Sequence, residues 1–200
     1  DDAPETIWDA AVLAAVPVRG TDAAETIYGD ANGTQIFAGG GNDTVFGYAG
    51  DDILDGGAGN DVLYGGGYLG YNYPGNDTYL FGRGDGQDRI TENDNTAGNT
   101  DMLQFAAGVA ADQLWFRRVG SNLEVSIIGT DDKSTISNWY SGNSYHVEQF
   151  KTADGKVLTD TRVQALVEAM AAFSPPAAGQ TTLPANYQTA LTPVLAANWY

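Results

Sequence analysis

A nine-residue repeat between Gly29 and Asp88 constrains this 200-residue chain more than any other feature. Three consecutive units show it most clearly: AGGGNDTVF at 38–46, GYAGDDILD at 47–55 and GGAGNDVLY at 56–64. Glycine fills most of the first four positions, aspartate the sixth and an apolar residue the eighth. Such a short, glycine-rich period is incompatible with a helix and predicts turns that alternate with short strands.

The two parts of each unit have different roles. Glycines among the first six residues adopt backbone conformations closed to other residues and expose carbonyl oxygens at close range. The last three residues, as in 44–46 and 62–64, are β-branched or aromatic around a central inward-pointing residue, which favours a strand. Two units make one coil of a flattened solenoid, so residues 18 apart stack. The sequence therefore predicts a mainly β fold built on a parallel β-roll.

Stacking of the coils brings the sixth-position aspartates together. Asp43 would lie over Asp61, and the two carboxylates would repel each other unless a cation lay between them. Carboxylate and carbonyl oxygens suit calcium, and the repeat offers neither sulfur nor imidazole. A flexible glycine-rich linker is the alternative, but a linker does not require a fixed apolar eighth position. We therefore expect several calcium ions.

The repeat becomes irregular at both ends. Upstream, units 20–28 and 29–37 keep the apolar eighth residue but lack the aspartate, so we expect them to pack and to bind metal poorly. Downstream, removing a seven-residue insertion at 67–73 restores the register and places Asp77 in the sixth position. The insertion tyrosines could stack on a sugar, although a loop that covers the roll is the favoured interpretation. Residues 82–88 repeat the pattern at a longer spacing.

Composition narrows the classes of function. Nine basic against 26 acidic residues give a formal charge of −17, which disfavours binding to nucleic acid or to an anionic membrane surface. The chain has no cysteine and therefore no disulfides. In an extracellular protein, bound metal ions can provide the stability that disulfides would otherwise give. We expect no membrane span and no cleavable signal peptide in the first twenty residues. With one histidine and no catalytic constellation, we expect no enzymatic activity.

The distribution of glycine divides the chain. Eighteen of 26 glycines lie between Gly29 and Gly86, which predicts a boundary near residue 90. Four parts follow: a flank at 1–19 with a possible helix over 4–16, the roll at 20–90, a β-rich cap at 91–173, and a linker and tail at 174–200. Strands are predicted at 101–105, 114–119, 123–128, 134–140, 147–150 and 157–158. One C-terminal helix is predicted at 161–172, with Thr161 and Gln164 as a capping box.

The units resemble the pattern Gly-Gly-x-Gly-x-Asp-x-apolar-x, the calcium-binding nonapeptide of RTX (repeats-in-toxin) proteins. Residues 78–172 also resemble the extension that follows such repeats in type I secreted bacterial proteins. The stretches that carry this second resemblance are TYLFGRGDGQDRI at 78–90, DMLQF at 101–105, ISNWY at 136–140 and VEQFKTADGKVLT at 147–159.

The resemblance implies three calcium sites, each formed by aspartates and backbone carbonyls of two neighbouring turns. The first set is Asp43, Gly39 and Gly41 with Asp61, Gly56 and Ala58. The second set is Asp52, Tyr48 and Gly50 with Gly65 and Asp77. The third set is Asp61, Gly57 and Gly59 with Asp88 and Asp85. The insertion interrupts the second set, and the longer spacing is expected to distort the third.

The resemblance also implies a function. RTX proteins leave the cell unfolded, C-terminus first, and fold on meeting extracellular calcium. We accordingly expect a secreted or cell-surface bacterial module that supports secretion and folding of a larger exported protein. Its partners would be the type I secretion machinery, which would recognise a signal within 181–200, and upstream domains of a longer parent chain. The alternative is a calcium-dependent module that binds a carbohydrate or a receptor.

Overall fold

Two stacked sheets, each of seven strands, form the body of the protein, and successive strands of the repeat region alternate between them. The computed structural model describes residues 16–67 and 71–200. The first sheet has, in spatial order, β1 (Val18–Arg19), β3 (Gln35–Phe37), β5 (Ile53–Asp55), β7 (Thr78–Phe81), β9 (Met102–Phe105), β13 (Gln149–Lys151) and β14 (Val157–Thr159). The second has β10 (Leu114–Val119), β11 (Asn122–Ile127), β12 (Lys133–Ile136), β8 (Gln87–Thr91), β6 (Val62–Tyr64), β4 (Thr44–Phe46) and β2 (Thr26–Tyr28).

The pairing register reproduces the 18-residue coil. Val45 of β4 pairs in parallel with Leu63 of β6, 18 residues later. Ile53 of β5 pairs with Thr78 of β7, 25 residues later, and the seven additional residues equal the predicted insertion in length. The predicted mainly β fold with a parallel β-roll is confirmed.

The space between the sheets is filled by the eighth residue of each unit. This central strand residue points inward because side chains alternate between the two faces of a strand. The series along the roll is Ile27, Ile36, Val45, Leu54, Leu63, Tyr79, Ile90 and Leu103, all of them buried. Both sheets continue across residue 90, and the predicted domain boundaries stay a prediction.

Glycine is required where the turns approach each other. Gly57 has a φ of +77° in the second position of unit 56–64, and Gly41 has a φ of +106° in the fourth position of unit 38–46, one coil earlier. A Cβ added to Gly57 would lie 2.0 Å from the carbonyl oxygen of Gly39 in the coil below. Tyr48 occupies the second position of another unit and also has a positive φ, of 75°. The glycines therefore set both the turn conformation and the coil spacing.

The C-terminal region (residues 106–200) closes one end of the roll. β10, β11 and β12 form an antiparallel meander, and β12 then pairs in parallel with β8 of the last coil. The hairpin of β13 and β14 extends the first sheet in the same way through β9. Helix α1 (Asp160–Met170) contacts β10 and β14, and helix α2 (Ala185–Asn198) contacts α1. Neither helix is long and apolar enough to cross a bilayer, and the same holds throughout the described residues.

The helices differ from the prediction. The described residues hold two α-helices rather than one, because the aliphatic tail forms α2 and buries Leu191, Leu195 and Trp199 against the C-terminal region. The capping box was wrong: the N-cap of α1 is Thr159, so Thr161 lies inside the helix. The helix considered at 4–16 falls almost entirely outside the described residues.

One predicted strand is shorter in the structure. The strand expected at 134–140 ends at Ile136, and a 3-10 turn follows at Trp139–Ser141. Asn138 has a left-handed φ of 58°, which breaks the extended conformation before the aromatic pair.

The close approach of the turns predicts a large difference between two glycine substitutions. Gly57→Ala forces a Cβ into the backbone of the preceding coil, whereas Gly108→Ala, at a φ of +86°, meets nothing within 4 Å. We expect Gly108→Ala to cost about 1–2 kcal/mol from its left-handed conformation alone, and Gly57→Ala to cost about 3 kcal/mol or more. Denaturant unfolding in saturating calcium measures both, and equal losses would contradict the packing argument.

Candidate metal centre

Two columns of buried aspartates run along the roll, one beside each sheet. The first column consists of Asp52, Asp77 and Asp101, which precede β5, β7 and β9. The second column consists of Asp43, Asp61 and Asp88, which precede or begin β4, β6 and β8. All six are at most 4% exposed. Burial of so many carboxylates requires specific partners.

Backbone amides supply one of those partners. In the second column Asp43 N donates to Asp61 Oδ1 at 2.7 Å, and Asp61 N donates to Asp88 Oδ1 at 2.9 Å. In the first column Asp52 N donates to Asp77 Oδ1 at 2.9 Å. All three predicted aspartate pairs are therefore stacked, and neither the insertion nor the longer spacing disturbs them.

The same pattern continues beyond these pairs in both directions. Glu25 N donates to Asp43 Oδ1 at 2.7 Å, and Thr34 N donates to Asp52 Oδ1 at 2.6 Å. Upstream units without a sixth-position aspartate therefore take part as donors. At the other end of the first column, Asp77 N donates to Asp101 Oδ1 at 2.8 Å.

The second carboxylate oxygen has no such partner. Oδ2 of Asp43, Asp52, Asp61 and Asp77 is buried in each case and accepts no hydrogen bond from protein. Glycine in the first position of the unit leaves room for this atom, since a Cβ added to Gly56 would lie 2.3 Å from Asp61 Oδ2. The unit therefore keeps one oxygen of each carboxylate open inside the turn.

The electrostatics of the columns favour a cation. Burial first, and neighbouring carboxylates to a smaller extent, raise the pKa of Asp61 to about 6, of Asp52 to about 7, and of Asp77 and Asp88 to about 8. Ion pairs of the described residues all lie in the C-terminal region, so no basic side chain neutralises the columns. Uptake of a proton or of a metal ion therefore stabilises the buried carboxylates whose pKa is raised.

The donor set fits calcium. Calcium takes six to eight oxygen ligands, and the columns present only carboxylate and carbonyl oxygens. When bound, the ion would supply the positive charge that the open Oδ2 atoms lack. Some predicted carbonyl ligands already accept one hydrogen bond between turns: Ala58 N donates to the Gly39 carbonyl at 2.9 Å, and Gly41 N donates to the Ala58 carbonyl at 2.9 Å. A second lone pair remains on each oxygen.

The remaining predicted ligands lie in the same turns. Tyr48 and Gly50 belong to the turn of Asp52, Gly65 opens the turn of Asp77, and Gly57 and Gly59 belong to the turn of Asp61. Asp85 differs from Asp43, Asp52, Asp61 and Asp77, because its Oδ2 accepts a hydrogen bond from Gly82 N at 2.6 Å. Metal ligation by each of these residues stays a prediction.

Sequence reasoning missed part of the site. Asp101 continues the first column, and Asp101 N donates to Glu148 Oε2 at 2.8 Å. Glu92 is also buried beside this column, 1% exposed. A signal was present for Asp101, which precedes buried Leu103 by two residues as the sixth position precedes the eighth in every unit. No repeat pattern marks Glu92 or Glu148.

Comparison with known proteins gives matches to two family models and to curated relatives. Residues 37–67 match the RTX calcium-binding nonapeptide repeat, and residues 122–162 match the haemolysin-type calcium binding protein related domain. The chain is also 34% identical over 94 residues to the iron-regulated protein FrpA of Neisseria meningitidis serogroup C. The match covers 46% of this chain and 8% of that relative, so the chain corresponds to a small part of it.

The raised carboxyl pKa values predict that the metal-free fold loses stability as pH rises. An aspartate in the unfolded chain has a pKa of about 3.9, whereas in the fold the pKa is about 6 for Asp61, about 7 for Asp52 and about 8 for Asp77 and Asp88. Between these two sets of pKa values the folded state binds more protons than the unfolded state. The stability that protonation gives the fold is therefore complete below the unfolded pKa and is lost as pH rises through the folded pKa values.

Far-ultraviolet circular dichroism of metal-stripped protein measures this effect. We expect more β signal at pH 5 than at pH 8, and recovery of the signal at pH 8 when calcium replaces the protons. Equal metal-free signals at the two pH values would contradict the prediction.

Proposed function

Because this chain carries RTX calcium-binding nonapeptide repeats, we propose that it is a calcium-dependent folding module that supports type I secretion of a larger protein. RTX-repeat proteins are typically secreted bacterial proteins. In this proposal the chain stays unfolded where calcium is scarce and folds where calcium is abundant. It has no catalytic role of its own.

The observation that carries the proposal is the set of open, buried oxygens in the two columns. Four Oδ2 atoms lie inside the turns without a hydrogen-bond donor, in a chain of formal charge −17. An unpaired buried charge is strongly destabilising, so the folded state depends on what fills these positions. A ligand that binds the folded but not the unfolded state stabilises folding by mass action. Calcium concentration would thus control whether the roll forms.

The C-terminal region supports a defined order of folding. Export with the C-terminus first would place β12 and β13 outside before the coils they pair with, β8 and β9. The region would then offer an edge for each sheet on which the last coil can form. Parallel pairing without such an edge requires contacts distant in sequence, which are slow to form.

The candidate secretion signal at 181–200 is largely folded in this structure. It contains α2, and the chain end returns to the first sheet, where Val157 N donates to the Tyr200 carbonyl at 2.8 Å and Tyr200 N to the Val157 carbonyl at 3.1 Å. A signal read from this segment would have to be recognised before the C-terminal region folds. This order agrees with export of an unfolded chain.

A second candidate function is calcium-dependent binding of a carbohydrate. It is favoured by a row of rings on the outer face of the second sheet, where Tyr28 stacks on Phe46 at 5.3 Å and Phe46 stacks on Tyr64 at 4.7 Å. Tyr73 and Tyr71 of the insertion extend the row at its edge through Tyr48. Tyr71 is 66% exposed and could present its ring to a sugar.

A glycan array tests this second candidate. We expect any glycan binding to require calcium and to be lost in Tyr71→Ala, whose calcium-induced circular dichroism should remain that of the wild type. Absence of binding to every glycan, or binding that survives Tyr71→Ala, would count against the insertion as a sugar site.

Calcium titration tests the folding proposal directly. The chain should show coil-like circular dichroism in chelator at neutral pH and gain β signal cooperatively with calcium but not with magnesium. Asp61→Asn removes a carboxylate shared by the first and third predicted sites, and we expect it to raise the calcium midpoint about tenfold, or about 1.4 kcal/mol. Asp131→Asn, an exposed substitution in the C-terminal region, is the matched control and should leave the midpoint unchanged.

A chain that is equally folded with and without calcium would overturn the proposal. Export through a type I system in bacteria provides the second arm. Calcium outside the cell should increase the yield of folded exported protein, whereas deletion of 181–200 should reduce export itself.

A further inference from the structure

Two departures from the repeat meet inside the last coils of the roll. Tyr64 of β6 pairs with Thr91 of β8, so the next residues, Gly65 and Glu92, occupy equivalent positions. Glu92 therefore stands in the first position of the unit, where Gly47, Gly56 and Gly65 leave space in other coils. A carboxylate side chain is thus directed into a turn that elsewhere contains only the open oxygen of an aspartate.

The second departure is Tyr79. It occupies the inward eighth position of β7, where the other coils of the first sheet place the aliphatic residues Ile36, Leu54 and Leu103. Its hydroxyl donates to Glu92 Oε1 and accepts a hydrogen bond from Gly65 N at 2.9 Å. Tyr79 is 0% exposed and Glu92 is 1% exposed. The tyrosine therefore holds one oxygen of the glutamate in a fixed place.

The other oxygen of Glu92 is open. Oε2 is buried and has no hydrogen-bond partner, and the same is true of Asp77 Oδ2. Asp101 completes the group, because one carboxylate oxygen from each of Asp77, Glu92 and Asp101 lies within 4.8 Å of the others. Asp101 is only 2% exposed, and Asn99 Nδ2 donates to its Oδ2 at 3.1 Å. Three buried carboxylates thus converge, with two unpartnered oxygens among them.

We propose that Asp77, Glu92 and Asp101 bind one further divalent cation, of the calcium class, at the end of the first column. The site lies outside the nonapeptide pattern, since Glu92 stands where that pattern has glycine. Tyr79 is a positioning residue that turns Glu92 Oε2 towards the ion. The oxygen-only donor set selects a hard cation, and calcium accepts irregular oxygen coordination more readily than the smaller magnesium, which requires near-ideal octahedral geometry.

Three carboxylates distinguish this site from the two-aspartate sites of the roll. Affinity for calcium increases with the number of charged ligands and with the rigidity of the site. Both conditions favour this site, because Tyr79 fixes Glu92 and backbone amides fix Asp77 and Asp101. We therefore expect the ion held by Glu92 to be among the tightest bound. The site can exist whether or not the module serves secretion, so it goes beyond the proposed function.

The position of the site couples the ion to the C-terminal region. Asp101 N donates to Glu148 Oε2 at 2.8 Å, and Asp94 N donates to the Ser144 carbonyl at 3.0 Å. An ion on Asp101 would stabilise the turn that makes these contacts. Loss of the ion is then expected to loosen the junction between the roll and residues 143–148.

The test measures how many calcium ions the whole chain binds and how tightly each is bound. Native mass spectrometry in calcium should show one ion fewer in Glu92→Gln than in the wild type, and calorimetry should show loss of a high-affinity binding step. Asp131→Asn is the matched control, with the wild-type count. Asp61→Asn should weaken binding in the second column while the step assigned to Glu92 remains.

Tyr79→Phe keeps the apolar volume and removes only the hydroxyl, so it serves if Glu92→Gln does not fold. We expect its ion count at saturation to equal that of the wild type, with the high-affinity step weakened about tenfold. If Glu92→Gln and Tyr79→Phe fold and bind calcium with the wild-type affinity and the wild-type number of ions, the proposed site is wrong. A crystal structure grown in calcium without density between Asp77, Glu92 and Asp101 would do the same. If the metal-free chain is already folded, the secretion proposal fails and the ion count still decides this one.

Discussion

The structure depends on a single repeated interaction, the hydrogen bond from a backbone amide to Oδ1 of an aspartate one coil further along. It fixes each carboxylate in a buried turn, and in Asp43, Asp52, Asp61 and Asp77 it leaves Oδ2 buried without a donor. Strand register, the need for glycine in the first position and the raised carboxyl pKa values all follow from where this carboxylate lies. Calcium binding is therefore built into the backbone geometry of the roll.

Most of the roll could be predicted because its sequence repeats. The nine-residue period specifies which residues stack, so pairs such as Asp43 and Asp61 can be identified from the sequence alone. The pairs formed by Asp77 and Asp88 keep the same amide-to-carboxylate hydrogen bond despite the irregular spacing, because the strands on either side keep their register. A solenoid tolerates such insertions since loop length contributes little to the free energy of closure.

The rest could not be predicted because it depends on tertiary contacts. The hydrophobic pattern of α1 predicts a helix. By contrast, α2 contains Pro193 and has no strong amphipathic periodicity, so the sequence does not indicate that this segment packs on the C-terminal region with Trp199 buried. Glu92 is a similar case. Its neighbours in sequence give no repeat signal, and its partner Tyr79 looks like an ordinary core residue until the coils are stacked.

The amide-to-aspartate ladder is polar, and this polarity has an evolutionary consequence. Among the sixth-position residues each acceptor belongs to the later coil and each donor to the earlier one, so the first member of each column needs only its backbone amide, as Glu25 and Thr34 show. An added unit at the other end would have to replace the acceptors supplied by Asp101 and Glu148. Loss of a sixth-position aspartate is therefore tolerated at the N-terminal end of the ladder, whereas the C-terminal end has to keep an acidic side chain as acceptor.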